Sequence, residues 1–453
     1  MSWLITLLHD LSSVLWGWPM IILLLGTHLF LTIRLRFPQR YVFKAMALCL
    51  KKDKGQNGDV SQLGALSTAL AATIGTGNIV GVATAVALGG PGAVFWCWIT
   101  GVFGIATKYG EALLAVKYRV RDKQTGRTYG GPMLVLENGM HMKWLGIVFA
   151  ILTVVSSLGI GCSVQSNSIS LLLQETFSVP PYLSGIAITA LAAIVLLGGV
   201  KVIAKVCTFL VPFMALFYIF GCIFILCLNH QYLGDAVVLI FKSAFSGTAA
   251  TGGFVGGTVM LAMRYGIARG LFSNESGMGS APIVAATAKT KNPVRQALVS
   301  SSGTFWDTVV ICALTGVVLV STILAYPDIS CNDGAALTKL AFDKIPIIGS
   351  PLLAVGILTF AFSTILGWSY YGKSAAWYLK GKKATNLYLI AYVAVLFIGS
   401  ISNLNLIWNL ADLMNAMMAI PNLISLLVLS GIIVTETRKY LWSNRLDQQA
   451  EEE

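Results

Sequence analysis

Charged residues are scarce in this chain. Asp, Glu, Lys and Arg make up 11% of its 453 residues, whereas hydrophobic residues make up 56% and the mean hydropathy is +0.77. Soluble domains carry a charged fraction of about 25%. The scarcity therefore excludes an ordinary soluble domain and predicts an all-α polytopic membrane protein.

Clusters of reactive or metal-binding side chains are missing as well. The histidines His9, His28, His141 and His230 lie far apart and show no metal-ligand spacing. The eight cysteines are scattered, mostly within apolar segments, so we expect no disulfide framework. Neither His-Glu-x-x-His nor Gly-x-Ser-x-Gly occurs. The sequence thus argues against an enzyme, and we expect no cofactor.

Long apolar runs take the place of these features. A transmembrane helix needs about 20 apolar residues, and on that scale we predict about eleven transmembrane helices. They cover residues 14–33, 62–88, 93–116, 144–173, 182–199, 206–228, 266–288, 297–325, 346–378, 385–402 and 406–434.

The distribution of basic residues predicts the orientation. Most of the 31 Lys and Arg residues lie in the segments 34–59, 117–143, 201–205, 289–295, 380–383 and 436–453. The positive-inside rule then puts the N-terminus outside and the C-terminus in the cytoplasm of a bacterial inner (plasma) membrane. The net charge of +12 is explained in this way and does not indicate nucleic acid. Arg264 and Arg269 have no role in this scheme.

A glycine-interrupted apolar helix occurs twice. One copy is 75–85, which begins Gly-Thr-Gly-Asn, and the other is 277–288, which begins Gly-Met-Gly-Ser. A break within the membrane frees backbone groups that lipid cannot satisfy. Paired breaks in two halves of a chain are typical of transporter binding sites, whereas a single break is better explained as a close-packing motif.

The matching breaks predict a chain made of two repeats. We assign 1–36 to an extra N-terminal helix and 37–61 to a cytoplasmic basic segment. Residues 62–228 and 263–435 form two five-helix repeats of inverted topology, because five is odd. Residues 229–262 form an extracellular loop or lid with a candidate helix at Leu233–Phe245, and 436–453 form a cytoplasmic tail.

Polar side chains near the breaks are candidates for binding. Asn78 and the amides at the first break suit a carboxylate, and the carbonyls before it suit a cation. Ser363 and Thr364 offer two adjacent hydroxyls for a hard cation. Gln165 suits a small zwitterion or an interhelical hydrogen bond.

Ionisable residues inside the predicted spans have two interpretations. Glu275 either braces the second break and balances a cation or pairs with Arg269 or Arg264 at the rim. Asp307 and Asp412 are further acids for which structural roles are favoured.

Two motifs carry a family resemblance. Gly75-Thr-Gly-Asn-Ile-Val-Gly81 and Gly270-Leu-Phe-Ser-Asn-Glu-Ser-Gly-Met-Gly-Ser-Ala-Pro282 resemble those of the alanine/glycine:cation symporter family, and Trp368-Ser-Tyr-Tyr-Gly372 fits as well. The family often has an acid after that glycine, where this chain has Lys373. The resemblance implies a leucine-transporter-type fold, a 5+5 inverted-repeat core with one extra N-terminal helix, and sodium-coupled uptake of alanine, glycine or a similar amino acid.

The resemblance also implies site residues. The amides of Thr76 and Gly77 with Asn78 would hold the substrate carboxylate, and carbonyls over Phe272–Gly277, which include Ser273 and Ser276, would meet its ammonium. Gln165, Met278 and Trp368 would close the pocket. The implied sodium ligands are carbonyls of Ala71, Ile74 and Phe360 and hydroxyls of Ser363 and Thr364.

The expected partners are therefore an amino acid, the sodium ion and the lipid bilayer. A channel is the rival interpretation, but it needs a continuous polar pore, and the polar residues here cluster near mid-membrane. A symporter of the same fold for another amino acid, such as glutamine, is the second alternative.

Overall fold

The computed structural model describes residues 10–12, 14–51, 58–123, 125–246, 258–329, 334–402 and 405–450, and most of them are helical. The α-helices are Trp18–Arg34, Val42–Cys49, Gln62–Thr73, Val82–Gly89, Gly92–Lys117, Pro132–Leu134, Lys143–Leu158, Val164–Phe177, Pro181–Leu197, Gly199–Leu228, His230–Phe245, Val259–Asn274, Pro282–Ala285, Pro293–Thr304, Ala313–Ala325, Gly334–Asp343, Gly349–Ile401, Asn405–Val428 and Ser430–Thr437.

Short irregular elements join several of these helices. A 3-10 turn covers Pro38–Tyr41, and wide π-type turns cover Gly77–Gly81, Val135–Gly139, Gly159–Ser163, Phe305–Cys312 and Arg438–Trp442. In the described part of the chain, two strands, Val120–Arg121 and Thr128–Tyr129, pair antiparallel within the predicted basic segment 117–143.

The described helices include 5 that are long and apolar enough to cross a membrane alone, and up to 8 if each of three bent helix pairs forms one span. Two predicted spans, 346–378 and 385–402, fall in the Gly349–Ile401 helix, which breaks at Lys380 and Gly381 where a loop was predicted. The predicted class, a polytopic membrane protein built mainly of α-helices, is confirmed, and the number eleven remains a prediction.

The helices separate into a buried core and a lipid-facing shell. In the Gly92–Lys117 helix, 83% of an apolar stretch of 18 residues is buried inside the protein. In the Gly199–Leu228 helix, the buried share of such a stretch is 28%. The second helix exposes large apolar side chains such as Phe209 and Phe220. Exposed apolar surface of this kind is stable only against lipid, so the core helix, and not the outer one, can line a polar site.

The helix that follows the predicted extracellular loop or lid begins earlier than the predicted residue 266. Thr258 caps it, because its side-chain oxygen accepts a hydrogen bond from the Leu261 amide. Arg264 and Arg269 therefore lie inside the Val259–Asn274 helix. The preceding candidate helix is present as His230–Phe245, and the Gly-rich run 247–257 lies outside the described residues.

Segments predicted to share the cytoplasmic side meet at one face of the molecule. Thr287 O accepts from the Asp59 amide at 2.7 Å, and the Thr128 amide donates to Asp59 Oδ2 at 2.9 Å. Asn292 Nδ2 donates to Leu446 O at 2.9 Å. The ends of both broken helices, the short hairpin and the C-terminal tail thus form one connected layer.

Candidate functional site

The first break separates the Gln62–Thr73 helix from the wide turn at Gly77–Gly81. Ile74 leaves the helical conformation at ψ 89°, and the two arms are bent by 52°. A Cβ built on Gly75 would lie 2.5 Å from Thr364 Oγ1. Only glycine allows that approach, so the break brings the backbone directly onto the helix that carries Thr364.

The second break follows the Val259–Asn274 helix. Glu275, Gly277 and Gly279 have left-handed φ values of 54°, 99° and 82°, and helix returns only at Pro282–Ala285. A non-glycine residue in this conformation is uncommon and stores strain that is often found at functional sites. The predicted break at residues 277–280 therefore begins slightly earlier, at Glu275.

The two breaks lie side by side and share one acid. A Cβ on Gly77 would lie 2.9 Å from the Phe272 ring. Asn78 Nδ2 donates to Asp307 Oδ1 at 2.8 Å, and Ser273 Oγ donates to Asp307 Oδ2 at 2.8 Å. The buried Asp307 carboxylate therefore joins the first break to the second.

The Asn78 side chain is engaged within the protein. Its Oδ1 accepts from the Gly75 amide at 2.8 Å, and its Nδ2 also reaches the Asp307 backbone oxygen at 3.2 Å. Asn78 therefore braces the break from inside. Its predicted contact with a substrate carboxylate would have to be made beside the negative charge of Asp307.

Several predicted pocket residues lie next to the first break or to Glu275. Thr76 Oγ1 donates to Gln165 Oε1 at 3.2 Å, and Gln165 Nε2 donates to Ile160 O at 3.2 Å. The Trp368 side chain lies close enough to the Glu275 carboxylate to interact with it. A Cβ on Gly161 would lie 2.2 Å from that of Trp368. Gln165 and Trp368 thus face the same region from neighbouring helices.

The remaining predicted residues of the second break are held from its other side. Ser276 Oγ shares a hydrogen bond with Thr304 Oγ1 at 3.2 Å, and the Gly277 amide donates to Glu111 at 3.0 Å. Met278 is buried, and its amide donates to Glu275 O at 3.2 Å. These contacts fix the backbone of the break rather than line the region next to Gln165.

The five predicted cation ligands converge. Ser363 Oγ lies 3.1 Å from Ala71 O, 3.4 Å from Ile74 O and 2.9 Å from Phe360 O. Thr364 Oγ1 lies 3.0 Å from Phe360 O. Carbonyls at the end of an unwound half-helix, together with hydroxyls, are the groups that coordinate sodium in transporters with broken helices.

Glu275 is bound within its own break. Its carboxylate accepts a short hydrogen bond from Ser280 Oγ. Arg269 Nη1 lies 3.8 Å from Asp412 Oδ2 instead. Of the two interpretations offered for Glu275, the contacts favour the brace over the rim ion pair, and they give Asp412 a structural role.

Three polar residues of this region were missed in the sequence. Lys108 and Glu111 are buried in the Gly92–Lys117 helix, and Asn422 Nδ2 donates to Glu111 Oε1 at 2.6 Å. A signal existed, because two ionisable residues three apart within a predicted span share one helix face and indicate function by default. A structural role was predicted for Asp307, but its hydrogen bonds to residues of both breaks were not.

Comparison with known proteins gives the family. The sodium:alanine symporter family matches residues 1–453. The chain belongs to that family. It is 48% identical to the sodium/alanine symporter AgcS of Methanococcus maripaludis over 96% of this chain and 97% of that one. It is 37% identical to the probable sodium/glutamine symporter GlnT of Bacillus subtilis over 95% and 89%. The predicted family and sodium-coupled symport of a small amino acid are thereby confirmed.

Solved structures give the fold. The chain is similar to MhsT in complex with L-phenylalanine, with a TM-score of 0.59 at 16% identity over 88% of this chain and 94% of that one. It is also similar to the Eremococcus coleocola manganese transporter, with a TM-score of 0.54 at 14% identity over 88% and 86%. These similarities confirm a leucine-transporter-type fold for this multi-pass membrane protein.

Proposed function

We propose that this symporter imports a small neutral amino acid such as alanine or glycine, together with sodium, by alternating access at the paired breaks. The observation that carries the proposal is the convergence of five oxygen atoms, from Ala71, Ile74, Phe360, Ser363 and Thr364, beside the first break. A sodium ion bound there would tie the first broken helix to the Gly349–Ile401 helix, so ion binding would change the relative position of the two repeats.

The substrate would lie between the breaks. The amides of Thr76 and Gly77 begin the second arm of the first broken helix, where the helix dipole favours a carboxylate. Carbonyls near Phe272 and Ser273 would receive the ammonium. Gln165 and Trp368 would enclose the side chain, and the nearness of Trp368 to Gly161 leaves little room for a large one.

The charge of Asp307 adds a condition to this arrangement. A substrate carboxylate beside Asn78 would be repelled by the Asp307 carboxylate, which lies 2.8 Å from Asn78 Nδ2. A cation between the two carboxylates removes that repulsion. We infer that a sodium ion accompanies the substrate at this point, and that its binding and the binding of the amino acid therefore favour one another.

The orientation follows from the connected layer described above. Asp59, Thr128, Asn292 and Leu446 belong to four of the segments rich in Lys and Arg, and they are linked by hydrogen bonds on one face. The positive-inside rule makes that face cytoplasmic. We therefore propose a plasma-membrane location with the N-terminus outside and the C-terminus inside.

Uptake into proteoliposomes tests the proposal. The purified chain should accumulate labelled alanine or glycine when a sodium gradient is imposed, and much less when potassium replaces sodium outside. Preferred accumulation of glutamine would keep the symport mechanism and change the substrate. Sodium-independent equilibration of every solute would support a channel and overturn the proposal.

A further inference from the structure

A buried pair of opposite charges lies beside the second break. Lys108 and Glu111 are three residues apart on the Gly92–Lys117 helix and are 4% and 2% exposed. Residues at this spacing share a helix face. Burying two charges costs several kcal/mol per ion unless they are compensated, so their presence in the core requires a physical reason.

Glu111 holds the irregular backbone of the second break. Its Oε1 accepts from the amides of Gly277 and Gly279, each at 3.0 Å, and from Asn422 Nδ2 at 2.6 Å. Asn422 Nδ2 also donates to Gly277 O at 2.8 Å. The carboxylate thus supplies the acceptor that a continuous helix would otherwise provide, and it ties the break to two other helices.

Lys108 is held less completely. Its Nζ has no hydrogen-bond partner among the described residues, and the same is true of Glu111 Oε2. The ammonium interacts electrostatically with Glu111, Glu275 and Asp307. Three carboxylates of the site are therefore stabilised in part by one cation that no direct hydrogen bond fixes among the described residues.

A small cavity lies beside Lys108. Lys108 lines a small cavity together with Thr73 at the end of the first half-helix, Asn274 and Pro282 at the second break, and Thr304. Its volume of about 10 Å³ corresponds to roughly one water molecule. One water can hydrate an ammonium only in part, so the carboxylates around Lys108 contribute to balancing its charge.

We propose that Lys108 and Glu111 are a positioning pair for transport. Glu111 holds the second break in the shape that receives the substrate, and the Lys108 ammonium supplies the positive charge that balances the carboxylates there until sodium and substrate bind. The effect on uptake rests on the proposed function, whereas the hold on the Gly277 and Gly279 amides does not.

Amide hydrogen exchange tests the hold without any substrate. In the full-length chain in detergent, Glu111→Gln should raise exchange in the peptide that contains Gly277 and Gly279 by about tenfold, which corresponds to ~1.4 kcal/mol. This substitution removes the negative charge of the acceptor at position 111 and keeps the shape of the side chain. Glu111→Asp, which shortens the side chain, is the second variant if Glu111→Gln does not fold. Parent-like exchange in folded protein would overturn the hold.

Uptake kinetics test the charge balance. Lys108→Met should raise the KM for sodium and amino acid, and Glu111→Gln should do the same, with smaller effects on the maximal rate. The double variant Lys108→Met/Glu111→Gln restores the net charge but not the Glu111 hold, so its KM values should rise less than the product of the two single effects, since coupled residues give non-additive effects. Parent-like KM values in both single variants would overturn the pairing. A double variant whose increase in KM equals the product of the two single increases would also overturn it.

An ion pair at the surface, with one exposed and one half-buried partner, provides the control. Lys143 Nζ lies 3.1 Å from Glu137 Oε1, and the lysine and glutamate side chains are 70% and 26% exposed. Removing both charges of a surface pair changes little, so Lys143→Met/Glu137→Gln should keep the parent KM values. If the parent itself shows no sodium-dependent uptake, the proposed function fails, and the exchange experiment still decides whether Glu111 holds the break.

Discussion

At the residue scale, the site depends on side chains that brace the backbone as much as on those that face a ligand. Asn78 was predicted from its place in the motif to bind the substrate directly. The structure gives it a brace to Gly75 and a hydrogen bond to Asp307. Asn78 can brace the break and also contact a substrate, but a ligand beside Asn78 must be compatible with the negative charge of Asp307.

The pair formed by Asn78 and Asp307 gives the first prediction. Asn78→Asp should lower both the melting temperature and sodium-dependent uptake, because two carboxylates would then face each other. A hydrogen bond to a charged group is worth about 1.5–3 kcal/mol, and repulsion adds to its loss. Asn78→Ala should do less harm to folding.

Exchanging the two groups provides the control. In Asn78→Asp/Asp307→Asn, the amide and the carboxylate change places and one hydrogen bond can form again. The double variant should therefore melt closer to the parent than Asn78→Asp does. Thermal melting in detergent and uptake measure the two effects, and equal damage from the single and the double variant would contradict the contact.

The second prediction concerns the cation ligands. Ser363→Ala/Thr364→Ala removes two of the five oxygens and should raise the sodium concentration needed for half-maximal uptake at least about tenfold, which is ~1.4 kcal/mol of binding free energy. Substrate selectivity should change little. Ser369→Ala is the matched control on the same helix, because Ser369 Oγ bonds only locally, to Leu366 O, among the described contacts. An unchanged sodium requirement would place the ion elsewhere.

At the element scale, the two breaks are built differently. The first follows a change at one residue, Ile74, and restarts through a wide turn. The second needs left-handed conformations at Glu275, Gly277 and Gly279 and outside help from Glu111 and Asn422. Glycine is consequently required for its backbone conformation at the second break and for close approach at the first.

A pair of glycine variants tests this difference. Gly277→Ala would force an alanine into a left-handed conformation, at about 1–2 kcal/mol, and would bring its Cβ to 2.8 Å from Leu24 Cδ1. We expect a lower melting temperature and weaker amino-acid binding. Gly81→Ala should be tolerated, because nothing lies within 4 Å of its Cβ position. Equal melting temperatures for the two variants would contradict the strain at Gly277.

At the scale of the whole molecule, the breaks connect the two predicted repeats. Asp307 joins them at the centre, and the link between Asp59 and Thr287 joins the ends of both broken helices at the proposed cytoplasmic face. A movement of one repeat against the other must open the second link while substrate passes. Alternating access in such folds is largely rocking of one repeat or bundle around a fixed site.

The last prediction is about coupling. Sodium and amino acid should each tighten the binding of the other by the same factor, as linkage requires. Net movement of charge should also make uptake depend on membrane potential, at ~2.3 kcal/mol per charge per 100 mV. Calorimetric titration at several sodium concentrations measures the first effect, and uptake at imposed potassium-diffusion potentials measures the second. If neither ligand changes the binding of the other and uptake does not depend on membrane potential, coupled symport is contradicted.

The sequence by itself determined the class of the protein and indicated where a site could lie. Scarce charge and long apolar runs identified a helical membrane protein, because lipid forbids unpaired backbone. Paired glycine breaks indicated a candidate site, because glycine tolerates the conformations that a break requires, and the resemblance to the wider fold implied the five oxygens of the candidate cation cluster.

Only the tertiary structure decided which polar groups meet. Glu111, Asp307 and Asn422 lie far apart in the chain, and no local pattern shows that Asp307 would reach both breaks or that Asn422 would share Glu111 with Gly277. A hydrogen bond depends on distances of a few tenths of an ångström, and those distances are set by how whole helices pack rather than by the residues that neighbour each group in sequence.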